Sequence, residues 1–161
     1  MRINDRVRYI GVNDDEKSLF EGLWPLPSGV SYNSYLVVDE KVALIDTVEQ
    51  GFEDEFLANI ASEIGDRKID YLVVNHMEPD HSANIINFVK AYPNVCVVGN
   101  AKTFKMIEQF FDVKLENTLV VADMDTLSLG KHLLTFVFAP MVHWPEVMVT
   151  YDSTDKVLFS A

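Results

Sequence analysis

The stretch "NHMEPDHSAN", Asn75 to Asn84, crowds His76, Glu78, Asp80 and His81 into one short segment of a chain that has 4 histidines in all. Imidazoles and carboxylates are the donors that intermediate and hard divalent cations accept. Pro79 pushes Glu78 toward an extended backbone, and in an extended stretch residues two apart point the same way. His76, Glu78 and Asp80 can then converge, while His81 begins a helix and points elsewhere. One imidazole with one carboxylate can face one ion, and a second such pair another, so the spacing suits two metals held close together. The plain alternative is a polar loop in which Asp80 caps the next helix and the histidines titrate at the surface. Taken alone, Asp80 reads as a cap; taken together, the four residues read as a metal cluster.

Two histidines remain. His132 follows "LGK" in a turn and reads as an ordinary surface residue. His143 sits in "APMVHWPE", at the end of an apolar strand, and beside a ready-made cluster it is the best candidate for a further ligand.

The elements that must position these residues follow from periodicity. "RVRYIGV" reads as a strand, and "SYLVVDEKVALIDTV" as two strands joined at "DEK". Between them "LWPLPSG" is a loop set by two prolines and a glycine. Phe56, Leu57, Ile60 and Ile64 recur on one helical face, and Gly65 supplies a stop. "IDYLVV" is a short apolar strand that leads straight into the cluster. Ile85, Phe88, Val89 and Tyr92 place a helix directly after it. "NVCVVG" is a strand, and Phe104, Ile107, Phe110 and Phe111 mark a third helix. "NTLVV", "HLLTFVF", "VMVTY" and "KVLFS" are strands. Alternating β and α in the middle predicts some parallel sheet with helices on one face. His76 then falls at the carboxyl end of a buried strand, where ligand sites of open α/β sheets gather.

Length and composition frame this reading. The 161 residues fit one domain able to bury a core. With 48% hydrophobic and 11% aromatic residues, the chain is not of the disordered class. A net charge of −12 disfavours nucleic acid and anionic membrane as partners. Cys96 is the only cysteine, so no intramolecular disulfide is expected; in "NVCVVGN" it reads as a small buried hydrophobe. "MRINDRVRYIG" lacks the apolar core of a signal peptide, and "LLTFVFAPMV" is too short to span a bilayer, so a cytoplasmic location is expected. "KVLFSA" ends as a strand without a cap or polar tail, which suggests the first part of something longer.

The motif H-x-E-x-D-H resembles the metal motif of the flavodiiron proteins, a branch of the metallo-β-lactamase superfamily. "GVSYNSYLV", "ALIDTV" and "HWPEVMVTY" also look like segments of that family, and the likeness covers essentially the whole chain. The resemblance implies a metallo-β-lactamase-like αβ/βα sandwich, of the α/β (α+β) class, with residues 1–161 forming its amino-terminal portion. It implies that His76, Glu78 and His143 ligate one iron and that Asp80 and His81 ligate the other. Asp46 matches an acid at the end of the "LIDT" strand, a supporting position; a turn or cap before the helix is an equal reading. Trp144 and the "LWPLP" loop become expected pocket walls. A bridging aspartate, a last histidine and a flavodoxin-like FMN domain would fall beyond Ala161.

A carboxylate at position 78, where most hydrolases of the superfamily carry histidine, makes a site harder and more anionic, favouring iron over zinc. The expected activity is reduction of dioxygen to water or of nitric oxide to nitrous oxide by two non-heme irons, with electrons passed through FMN from rubredoxin or a similar donor. A head-to-tail homodimer is implied. Without the bridge, the 161 residues alone should hold metal weakly and not turn over. The alternatives are a zinc-dependent hydrolase of the same fold and a non-catalytic diiron oxygen sensor.

Overall fold

The computed structural model describes residues 3–160; Met1 and Arg2 of the opening segment and Ala161, at which the chain was expected to break off, lie outside the described residues. The chain opens with five short strands, β1 (Val7–Tyr9), β2 (Val12–Asp14), β3 (Leu19–Phe20), β4 (Trp24–Pro25) and β5 (Val30–Tyr32). A hairpin follows, β6 (Tyr35–Val38) and β7 (Val42–Ile45), then α1 (Glu53–Ile64) and β8 (Tyr71–Val73). Next come α2 (Pro79–Ser82), α3 (Ile85–Ala91), β9 (Cys96–Gly99), α4 (Ala101–Phe111) and β10 (Thr118–Val120). The last four strands are β11 (Thr126–Ser128), β12 (Leu133–Phe138), β13 (Met148–Asp152) and β14 (Val157–Phe159).

β1-β6-β7-β8-β9-β10 form one sheet. Its first three strands are antiparallel and β7 through β10 run parallel, as the β–α alternation predicts. β11 to β14 make a second, antiparallel sheet. β7 is buried at all four positions because both of its faces are covered. Leu44 and Leu72 face Phe56, Ile60 and Phe88 of the helices. Ala43, Ile45, Val73 and Val98 point the other way, against Leu134, Phe136 and Met148 of the second sheet. The layers are therefore helices, mixed sheet and antiparallel sheet, with a core in each gap.

α1 follows its predicted face: Phe56, Ile60 and Ile64 are buried, and Gly65 ends the helix at φ 57. Glu53, Asp54 and Glu55 in its first turn oppose the positive end of the helix dipole.

The details depart from sequence in several places. "RVRYIGV" is two strands rather than one. A side chain at Gly11 would lie 2.1 Å from the Tyr32 carbonyl oxygen, so the backbones touch there and the chain leaves β6 to pair with β5. "LWPLPSG" is not wholly loop, since Trp24–Pro25 pairs with Leu19–Phe20. The single helix expected after the cluster is two, α2 and α3. The break comes at Asn84, whose amide donates to the carbonyls of Val48 and Glu49. Cys96 is half-buried rather than buried, and burial raises its thiol pKa. Among the described residues no helix is long and apolar enough to cross a membrane.

Phe136 is fully buried between the two sheets. Phe136→Ala is expected to lower stability by about 3–5 kcal/mol, read as a lower urea midpoint at unchanged slope. Phe136→Leu, closer in volume, should cost less than about 1.5 kcal/mol.

Candidate metal centre

The parallel strands stop together, and the loops that leave them build the site. Asp46, immediately after β7, adopts φ 55 and turns its carboxylate under the end of β8. Its Oδ1 accepts the backbone N–H of Asn75 at 2.7 Å and, more loosely, that of His76 at 3.4 Å. Asp46 therefore does not cap α1, whose N-cap is Phe52 with no side-chain bond; it supports the strand end that carries His76. Asn75 is tied to the second sheet, accepting from the Thr150 hydroxyl and donating to the Phe159 carbonyl. The Thr47 amide and hydroxyl both donate to the His81 carbonyl, clasping α2 onto β7.

From this base the predicted residues meet. Glu78 is extended, φ −59 and ψ 142, as Pro79 requires. Its Oε2 lies 3.1 Å from His76 Nε2 and 2.9 Å from His143 Nε2. Beside them Asp80 Oδ2 lies 3.5 Å from His81 Nε2. The rings of His76 and His81 are 5.4 Å apart, so His81 joins the cluster instead of pointing away as its place in a helix suggested. Asp80 caps nothing: the N-cap position of α2 is Glu78. His143 is the exposed member, with 64% of its side chain open to solvent. Trp144 stands edge-on to His76, with ring centres 5.3 Å apart, and lines a cleft of about 330 Å³ together with Lys17, Glu49 and Asp80. Trp24 of the "LWPLP" loop is exposed and does not line it. A larger cleft, about 500 Å³, opens at the opposite ends of the parallel strands between Tyr71, Tyr92 and Cys96, away from these donors.

His132 is not a surface residue. It is buried, its Nδ1 is 2.7 Å from Asp152 Oδ2, and its amide donates to Asp39. His132, Asp152 and exposed Asp155 form a second group of potential donors. Both Asp152 oxygens are engaged, by His132 and by the Thr154 amide, so the pair clamps the ends of β12 and β13. Glu146 was not singled out from sequence. It is buried, and its Oε1 meets His76 Nδ1 and the Met77 amide, each at 2.8 Å. An acid three positions after a candidate histidine, in "HWPE", was the available signal.

Burial shapes the electrostatics. It raises the Asp46 pKa to about 6, partly offset by His81 and by the two amides. Burial also raises Asp80, with Glu78 adding to the effect and His81 opposing it. Burial pulls His76 downward, but Glu146 and Glu78 outweigh it and its pKa rises. Glu146 is held low because its bonds from His76 and Met77 overcome its own burial.

The donor set fits metal. His76, Glu78 and His143 offer atoms that all lie within 4.8 Å of one another. Asp80 Oδ1 and His81 Nδ1 are buried with no hydrogen-bond partner among the described residues. Two imidazole nitrogens directed at one carboxylate oxygen, next to buried polar atoms without partners, are what a site for divalent cations leaves once only protein atoms are counted.

The family model described as ODP family beta lactamase matches residues 30–161. The rubredoxin-oxygen oxidoreductase of Megalodesulfovibrio gigas is 38% identical over 159 residues, spanning 99% of this chain and 40% of that protein. The anaerobic nitric oxide reductase flavorubredoxin of Salmonella arizonae is 38% identical over 160 residues, 98% of this chain and 33% of that protein. The crystal structure of the flavodiiron protein from Giardia intestinalis superposes with TM-score 0.92 at 34% identity, over 98% of this chain and 38% of that one. The chain belongs to this family, in its flavodiiron branch. Its layers are those of the flavodiiron proteins' metallo-β-lactamase-like fold. It spans about 33–40% of the length of these relatives.

Asp46 gives a pH prediction for the metal-free protein. Its folded pKa of about 6 lies above that of an unfolded aspartate, so the fold prefers the neutral acid. Between pH 4 and pH 6 the unfolded chain has lost this proton and the folded chain still holds it. Stability therefore falls as pH rises through that window, by on the order of 3 kcal/mol. Asp46→Asn keeps the acceptor and should flatten this component; urea unfolding of both proteins at intervals from pH 4 to pH 7 measures it.

Proposed function

We propose that these residues are the diiron portion of a flavodiiron oxidoreductase that reduces dioxygen to water, nitric oxide to nitrous oxide, or both. The observation that carries the proposal is the convergence of His76, Glu78 and His143 with the Asp80–His81 pair alongside. The names of the relatives, a rubredoxin-oxygen oxidoreductase and a nitric oxide reductase flavorubredoxin, support the choice of substrates.

In this reading His76, Glu78 and His143 hold one iron, and Asp80 and His81 hold the other. When bound, a pair of irons supplies adjacent redox-active Lewis acids for a diatomic substrate. The protein supplies the setting. Glu78 contributes the hard anionic donor that suits iron rather than zinc. Trp144 shields the His76 side from water, and Asp46 holds the strand end so that His76 and Glu78 keep their facing directions. Lys17, bonded to Glu49 and Tyr32 at the rim, places a cation over an acidic cleft. The FMN site lies outside residues 1–161, and a rubredoxin-type protein is the proposed source of electrons. A head-to-tail homodimer in the cytoplasm completes the proposal, with residues 1–161 as the amino-terminal portion of the metallo-β-lactamase-like domain.

Full-length protein purified without oxygen tests this. Elemental analysis should find about two irons per chain. Oxygen or nitric oxide consumption should depend on a reduced rubredoxin-type donor. Glu78→Ala and His143→Ala should weaken iron binding by at least the roughly tenfold to hundredfold that loss of an outer partner costs. Zinc in place of iron with ester hydrolysis would make it a hydrolase, and bound iron without turnover would make it a sensor; either result overturns the proposal.

A further inference from the structure

Glu146 is 1% exposed, yet it belongs to neither group of potential metal donors. Its backbone is pinned at the start of α4. Asn100, which caps that helix through the amides of Lys102 and Thr103, donates its side-chain amide to the Glu146 carbonyl, and Lys102 Nζ reaches the Pro145 carbonyl at 3.1 Å. From this anchor the side chain crosses to the end of β8. There Oε1 takes both the Met77 amide and His76 Nδ1 at 2.8 Å. Oε2 is buried without a partner among the described residues, so the hydrogen bonding of this side chain is concentrated on residues 76 and 77.

An ionised carboxylate can only accept hydrogen bonds. A hydrogen must therefore sit on His76 Nδ1, which leaves the Nε2 lone pair of the neutral ring aimed at the space shared with Glu78 and His143. Two further contacts fix the ring plane: Trp144 edge-on at 5.3 Å and His143 at 5.2 Å. A ligating imidazole held by a carboxylate on its far nitrogen gains basicity and loses rotational freedom, and such outer partners alter metal affinity by about 10–100-fold.

We propose that Glu146 is the positioning residue of this centre: a buried carboxylate that fixes His76 in its Nδ1–H tautomer and orients Nε2 as a metal donor. The proposal rests on the reading of His76 as a ligand, but its first half concerns only the protein.

Two measurements on the full-length protein decide it. In chelator-treated protein, at a pH high enough that the His76 ring is neutral, nitrogen-15 spectra of labelled histidine, with His76 assigned through a His76→Gln variant, should show the Nδ1–H tautomer at His76. Cobalt(II) titration followed by visible absorption should then show Glu146→Ala binding roughly tenfold to hundredfold more weakly, with an altered spectrum. Glu146→Gln, which keeps an acceptor at Oε1, should recover most of that loss. An Nε2–H tautomer in the unsubstituted protein overturns the proposal. So does wild-type cobalt affinity with an unchanged spectrum in Glu146→Gln and Glu146→Ala while His76→Gln binds poorly. If Glu146→Ala does not fold, the tautomer of the unsubstituted protein and the Glu146→Gln titration still decide. If His76→Gln binds cobalt like wild type, the ligand reading fails, and the tautomer result separately settles whether Glu146 orients the ring.

Discussion

Glu78 Oε2 accepts the approach of two imidazole nitrogens, one from His76 two positions away and one from His143, 65 positions away, and much of the molecule serves to make that meeting possible. Ionisable groups buried at this density are costly to desolvate unless each has a partner. Every supporting contact supplies one. The Asp46 carboxylate takes backbone amides, Glu146 takes the far nitrogen of His76, and Asn75 bridges the two sheets below. Asp80 Oδ1, His81 Nδ1 and Glu146 Oε2 are among the buried atoms without a hydrogen-bond partner among the described residues. A site so arranged suits a cation.

The sheet architecture explains why the meeting occurs at one end. Parallel strands β7, β8 and β9 all run toward it, so the loops that leave them share one edge. The second sheet brings His143 and Glu146 from the β12–β13 connection to the same edge, and the Met148 amide bonds the Asn75 carbonyl to fix the join. The apolar layer between the sheets, Phe136 and Met148 against Ile45 and Val73, sets the distance at which these loops face each other. Packing energy is thereby coupled to the geometry of the donor cluster. The arrangement also separates stiff from open parts. His76 is locked from both sides, whereas the His143 side chain lies mostly in solvent.

Much of this was legible in the residues. Pro79 and the two-residue spacing fixed how His76 and Glu78 face each other, because the backbone rule involved is local. The α1 face was equally plain, as Phe56, Ile60 and Ile64 fall at helical period. The strand break at Gly11 was not legible: it depends on a close approach to the Tyr32 carbonyl, which is distant in sequence. His132 was misread for the same reason. A turn context suggests exposure, and only the partner Asp152, on the neighbouring strand, shows that the ring is buried.

The sequence by itself determined the donor types, their local directions and the alternation of strands and helices, since these follow from covalent geometry and short-range periodicity. Tertiary structure alone decided that His143 reaches Glu78, that His81 turns toward His76, and that Glu146 stands behind the ring. Those contacts are set by how two sheets stack and how far each loop reaches, and no local rule encodes a distance between segments that meet only after the core has formed.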